Sequence, residues 1–187
     1  MIWESYYWKS DLLKHAAALR KRKEQKRWVD ASYGRTEQTV MLGFYSIRKL
    51  IEARKLRDDV AHQIVEISAH APTGKRITRL NSHRIDELYD LDRRRSESCR
   101  LEWLCNQIIH SYIFALLTEE HGGLAGVLVT SDRNRSKALY EVTVDQMIVL
   151  FDQIGNDYPT DVSMKFDPDL GDYKVHSGNA AQPSDPE

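Results

Sequence analysis

Glu102, Asn106 and His110 recur at four-residue spacing. On a helix that spacing aligns an acid, an amide and an imidazole along one stripe. Imidazole titrates near neutral pH and so suits proton transfer. A His near a helix end can instead bind free carbonyls and the negative end of the dipole, which is a structural role. A second chemistry is offered by clustered cations. The turn Ser131–Lys137 concentrates Arg133, Arg135 and Lys137, and Arg93, Arg94 and Arg95 stand in a row. Guanidinium forks match phosphate and carboxylate oxygens two at a time. These six are the candidate binding residues, for a nucleic-acid backbone or a protein partner. The alternatives are an ordinary solvated hairpin loop for the first cluster and pairing with Asp90 and Asp92 for the second.

Other chemistries lack their residues. Gly122-Gly123 is not followed by Lys-Ser or Lys-Thr, so there is no phosphate loop. No serine is flanked by glycines as a nucleophile elbow requires. Cys99 and Cys105 stand too far apart for a zinc knuckle, and no two His are four apart. His62 and His70 could join Glu66 at a metal only if the fold gathered them. No metal and no cofactor is expected. Six helical residues would hold the two cysteines roughly 9 Å apart at 1.5 Å per residue, which disfavours a disulfide.

Cys105-Asn106-Gln107-Ile108-Ile109-His110 resembles the active motif of the HEPN superfamily of all-helical ribonucleases and nucleotide-binding domains. That motif runs Arg, then often Asn, Asp or His, then a few residues, then His. Asn106 and His110 match two positions, and Cys105 stands where the family has Arg. The resemblance spans the motif, or loosely residues 36–113 if the preceding helix is the partner helix. It implies a metal-independent ribonuclease with His110 as the acid–base group and Asn106 orienting substrate. The missing cation would come from Arg48, or from Arg100 of another subunit, since ten helical residues put Arg100 about 15 Å from His110 on the same helix. Cysteine at the Arg position implies a non-cleaving relative. Arg76 and His83 also fall within the family's loose spacing, but Ile77–Ser82 has no helical face and the pair is read as chance. The segments 82–89, 106–112 and 155–159 together look like bacterial proteins without an assigned activity, which implies a bacterial accessory protein.

These residues need elements to position them. Trp3, Tyr7, Trp8, Leu12, Ala16 and Leu19 predict a helix over 3–25, with the aromatics as packing anchors. A break at 30–34 and a cap at Thr36 predict a second helix over 36–56, with Arg48 and Glu52 paired on its wet side. Ile64–Ile67 suggests a short strand, and 77–92 a strand or a helical turn. So irregular a stretch often lies over a pocket or interface. Leu101, Leu104, Cys105, Ile108, Ile109 and Tyr112 predict a helix over 94–113. Apolar runs at 113–118, 124–130 and 137–142, joined by turns, predict an antiparallel meander. Thr143 and Gln146 form a capping box opening a last helix, with Gly155 at its end.

The chain has 187 residues, 41% of them hydrophobic and 29% charged, which is enough for one domain with a sizeable core. Its net charge of −1 divides into a basic block at 20–27 and an acidic end after Asp157. The acidic end has the composition of disorder. The block reads as a solvated helix end or as a phosphate patch masked by that end. No apolar run is long enough to span a membrane and no leader pattern is seen, so the expected location is cytoplasmic. The expected fold class is α+β: a helical core of three to four helices, a small antiparallel sheet of about three strands, and a disordered acidic C-terminal tail. A single domain is expected over 1–158, with the tail over 159–187. The expected function is a non-enzymatic accessory protein that binds a protein partner or a nucleic acid such as RNA and forms a homo-oligomer. The rival is a HEPN-like ribonuclease using His110.

Overall fold

A five-stranded antiparallel sheet in the order β2-β1-β5-β4-β3 is the frame. Its strands are β1 (Ile64–Pro72), β2 (Tyr89–Arg100), β3 (Ser111–Thr118), β4 (Leu124–Ser131) and β5 (Leu139–Thr143). The computed structural model describes residues 2–179. Alternation decides which face each side chain meets. Val65, Ile67, Ala69, Val127, Val129, Tyr140 and Val142 face a helical layer and join the main core. Leu128 and Leu139 face the other way and meet Ile77, Leu88, Tyr89 and Ile113 in a smaller core.

The helical layer consists of α1 (Ser5–Lys23), α2 (Asp30–Glu52), α5 (Leu101–Ile109) and α6 (Val144–Gly155). Each buries one stripe: Leu12, Ala16 and Leu19 on α1; Val40, Phe44, Ile47 and Ile51 on α2; Leu101, Leu104, Cys105 and Ile108 on α5; Met147, Phe151 and Ile154 on α6. Two single-turn helices, α3 (Asp58–Ala61) and α4 (Ile85–Leu88), lie in the connections. The α+β class is as expected. Among the described residues the sheet is larger than the expected three strands, and six helices stand where three to four were expected.

Local physics explains where the boundaries moved. The capping box forms at α6, with Gln146 N–H bonded to Thr143 Oγ1 at 3.2 Å and Thr143 N–H bonded to Gln146 Oε1 at 2.9 Å. The expected helix over 94–113 is three elements: the end of β2, then α5, then β3. β2 is an edge strand, and nearly every side chain from Leu91 to Arg100 is exposed or half-exposed. No buried face forces it to alternate, so it carries no strand signal. The expected break at 30–34 is helix: α2 starts at Asp30, and Thr36 lies within it, its hydroxyl donating to Ser32 O at 2.8 Å. Trp3 and Tyr7 are not packing anchors but are among the most exposed aromatics. Gly122 sits at φ +103, and a Cβ there would come within 2.6 Å of Lys26 O, so this turn admits only glycine. Gly155 ends α6 but lies against Leu13 of α1 instead of adopting a left-handed cap.

Residues 159–187 were expected to be disordered. Of these, β6 (Asp161–Asp167) and β7 (Asp172–Gly178) form a hairpin. Its alternation is hidden in the sequence by the surrounding Asp, Gly and Pro. Residues 180–187 lie outside the described residues. Within the basic block at 20–27, Arg20 and Lys23 pair with Asp152 and Asp145 of α6. No described helix is long and apolar enough to cross a membrane.

Candidate functional site

The expected stripe on α5 is real but balanced. Arg48 of α2 crosses to it, bonding Asn106 Oδ1 at 3.2 Å and Glu102 Oε1 at 2.9 Å. The same guanidinium meets Glu52 at 3.2 Å, as the spacing predicts. One cation between two carboxylates leaves no excess positive charge for a phosphate. Arg48 is the arginine that reaches the stripe within the chain, and Arg100 is the N-cap of α5. Helix α5 ends at Ile109, so His110 is its C-cap, with its backbone N–H donating to Asn106 O at 3.1 Å. The ring is exposed and makes no hydrogen bond or ion pair among the described residues.

Arg93, Arg94 and Arg95 lie in the middle of β2. Each meets an acid: Arg93 with Asp90 at 3.9 Å, Arg94 with Glu141 at 3.0 Å, Arg95 with Glu97 at 3.3 Å. Glu141 also holds the buried His70, whose Nε2 lies 3.1 Å from Oε2. His62 and Glu66 are engaged elsewhere, by Asp58 O and by Ser96 and Ser98. Among the described residues no group of three or more His, Cys, Asp and Glu could hold a metal.

The third cluster opens onto a cleft. A cavity of about 590 Å³ is lined by Arg76, Thr78 and Arg79 from the connection after β1, by Ser111 and Tyr112 at the start of β3, and by Asp132 and Arg135 from the turn after β4. A second cavity of about 400 Å³ adjoins it, sharing Arg76, Ile77, Asp132 and Arg135 and adding Lys75. Arg76 and Arg79 are exposed and make no ion pair among the described residues. Arg135 lies over the Tyr112 ring, 4.2 Å from its centroid, and meets Asp132 at 2.7 Å. Arg133 and Lys137 flank it on the same turn and are exposed. Cations therefore outnumber acids here, unlike at β2 and α5.

Polar bonds brace both walls, and in the wall of the 131–137 turn the Gln107 bonds are buried. Gln107 of α5 is buried, and its Oε1 accepts from Ser131 N–H at 3.2 Å and Asn134 Nδ2 at 3.1 Å. Tyr89 donates its hydroxyl to Arg135 O at 2.7 Å. Burial pushes that phenol up to about 12, so it remains a donor at neutral pH. In the other wall, Asn81 accepts from Thr78 N–H at 2.7 Å and donates to Arg76 O at 2.9 Å. Bracing of this kind lowers the entropy lost when a ligand orders the arginines. The cysteines take no part. Both are free, and burial pushes the Cys99 thiol up to about 12 and the Cys105 thiol still higher, which makes them poor nucleophiles.

Of the expected binding residues the structure brings Arg135 into the cleft, with Arg133 and Lys137 beside it, and leaves Arg93, Arg94 and Arg95 out of its lining. Of the expected catalytic residues, Glu102 and Asn106 are tied to Arg48, and His110 immediately precedes the lining residue Ser111. Sequence reasoning missed Arg76, Arg79, Tyr112, Gln107 and Asn81. Two signals pointed to them: Gln107, an amide set among the buried positions 104, 105 and 108, and the irregular stretch after β1, whose irregularity is itself a sign of a pocket or interface. Comparison with protein-family models, with curated proteins and with solved structures finds no match to this chain.

Proposed function

We propose that the protein is a non-enzymatic binding protein that takes the phosphate backbone of a nucleic acid in the cleft between residues 75–79 and the 131–137 turn. The observation that carries this reading is the convergence of Arg76, Arg79 and Arg135 against a single lining acid, Asp132. Guanidinium groups on two braced walls can straddle successive phosphates. Tyr112 beneath Arg135 adds an aromatic surface of the kind on which bases stack. The test is fluorescence anisotropy with labelled single-stranded RNA and DNA. Three phosphate contacts give a salt slope of about −2 on a log–log plot, so affinity falls roughly tenfold to twentyfold between 50 and 200 mM salt. Binding that ignores salt, or binding of an acidic peptide but no oligonucleotide, contradicts the proposal.

One observation favours a second reading. His110 is exposed and adjoins Ser111 and Tyr112 in the cleft lining. In a HEPN-like ribonuclease it would act on RNA held there. RNA cleavage that persists in a metal chelator and is lost in His110→Ala would establish that activity; intact RNA leaves binding alone.

A further inference from the structure

The five-stranded sheet has two edges, and they are built differently. β2 closes one side and β3 the other. An edge strand leaves half of its backbone N–H and C=O groups without a ladder partner, and charged side chains are the common guard against pairing with another chain. β2 carries that guard in Asp92, Arg93, Arg94, Arg95 and Glu97. β3 reads Ser-Tyr-Ile-Phe-Ala-Leu-Leu-Thr and holds no charge. Among the described residues no backbone hydrogen bond other than those to β4 reaches Ser111–Thr118. Irregular pairing at Tyr112 and after Leu117 bounds the regular ladder. The regular outer edge is therefore the wholly apolar run Ile113–Leu117.

The side chains of this edge are half covered on both faces of the sheet. Phe114 and Leu116 pack against the main core, Ala115 and Leu117 against the smaller one, and all four remain partly exposed. The two ends of the strand differ in charge. Glu119 and Glu120 follow its last residue, are exposed and form no ion pair among the described residues. His110 precedes its first residue and is exposed, and Arg135 lies over the Tyr112 ring. One end of the strand is thus acidic and the other basic.

We infer that β3 is a dimerisation edge, which pairs antiparallel with β3 of a second copy and joins the two sheets into one. Three features select a second copy as the occupant. A two-fold axis sets the centre of an antiparallel strand opposite itself, so a charge there would meet its own like; Phe114 and Ala115, at the centre, carry none. The same axis keeps each face of the sheet on its own side. Phe114 and Leu116 then meet their counterparts on the helical side, and Ala115 and Leu117 meet theirs on the opposite side. Antiparallel pairing also lays the Glu119–Glu120 end of each strand against the His110 end of the other. Opposite charges therefore meet at both ends of the contact, where parallel pairing would set acid against acid.

The test uses the full chain in sedimentation velocity, together with hydrogen exchange across a dilution series. The expected result is a dimer in which the Ile113–Leu117 amides that point away from β4 are protected and lose protection on dilution, while those bonded to β4 keep theirs. Ala115→Lys with Leu117→Lys gathers like charges at the axis and sediments as a monomer. Glu119→Lys with Glu120→Lys, on an exposed turn, raises the dimer dissociation constant severalfold, and Arg93→Glu on the guarded edge leaves the dimer intact. A monomer at every concentration overturns the inference, as does a dimer that survives the lysine pair at 115 and 117. If that pair fails to fold, the turn variant and hydrogen exchange on the unsubstituted protein decide the matter: an unchanged dissociation constant, or outer β3 amides whose exchange is independent of concentration, also overturns it.

Discussion

Two groups of three arginines behave oppositely. Arg93, Arg94 and Arg95 are consecutive in sequence, yet each faces a carboxylate along an edge strand. Arg76, Arg79 and Arg135 are scattered over sixty residues, yet they line one cleft with Asp132 as its lining acid. Exposed pairs like those on β2 are worth little to stability, but they cancel the field that would draw an anion. The lesson is that a run of charge in a sequence says nothing of its balance. Balance depends on which acids the sheet register and the loops place opposite.

Five substitutions break or sharpen the difference. Arg79→Ala removes a lining cation with no ion pair among the described residues and lowers affinity for a labelled oligonucleotide by roughly tenfold or more, because a hydrogen bond to a charged group contributes about 1.5–3 kcal/mol. In the same anisotropy titration Arg94→Ala changes affinity by less than about twofold, as expected for a cation already neutralised by an acid. Gln107→Leu takes the Gln107 acceptor from Ser131 N–H and leaves Asn134 Nδ2 only Ser131 Oγ at 3.4 Å, and urea unfolding shows a loss of about 2 kcal/mol. Its binding weakens severalfold because the basic turn is released, although no cation has been removed.

Tyr89→Phe is milder. It strips the donor from Arg135 O and costs about 1 kcal/mol. It also changes the response to alkali. The folded phenol holds its proton to about 12 while the unfolded one releases it near 10. Between those values the folded state binds more protons, so this contribution is complete below about pH 10 and is lost as pH rises toward about 12. Tyr89→Phe flattens that decline in urea titrations across the window. Arg95→Ala, the smallest change, stays within about 0.5 kcal/mol of the parent and binds equally well.

Much of the frame was legible in the chain. The capping box at Thr143, the meander of β3, β4 and β5, the short strand after Ile64 and the Arg48–Glu52 pair all follow from local periodicity and spacing. β2 was not legible, because an edge strand wet on both faces has no period-two signal. The β6–β7 hairpin was not legible either: Val162, Met164 and Phe166 alternate, but the composition around them is that of a tail. Of the cleft the 131–137 turn could be seen as a local concentration of charge, and the opposite wall only as an irregular stretch of the kind that lies over a pocket. The arginines of that wall are ordinary in sequence and are placed by Asn81. The crossing of Arg48 to Glu102 and Asn106 depends on how α2 packs on α5, which no local pattern records.

The most direct test matches charge for charge. Arg76→Ser with Arg79→Ser, and Arg93→Ser with Arg95→Ser, each remove two positive charges from a protein of net charge −1. Anisotropy titrations of both variants against the same single-stranded oligonucleotide at equal salt separate location from net charge. A loss of roughly a hundredfold in the cleft variant is expected, at about tenfold per charge-assisted contact, with little change in the strand variant. Equal losses in the two would contradict a cleft-centred site and reduce the interaction to the overall charge of the chain.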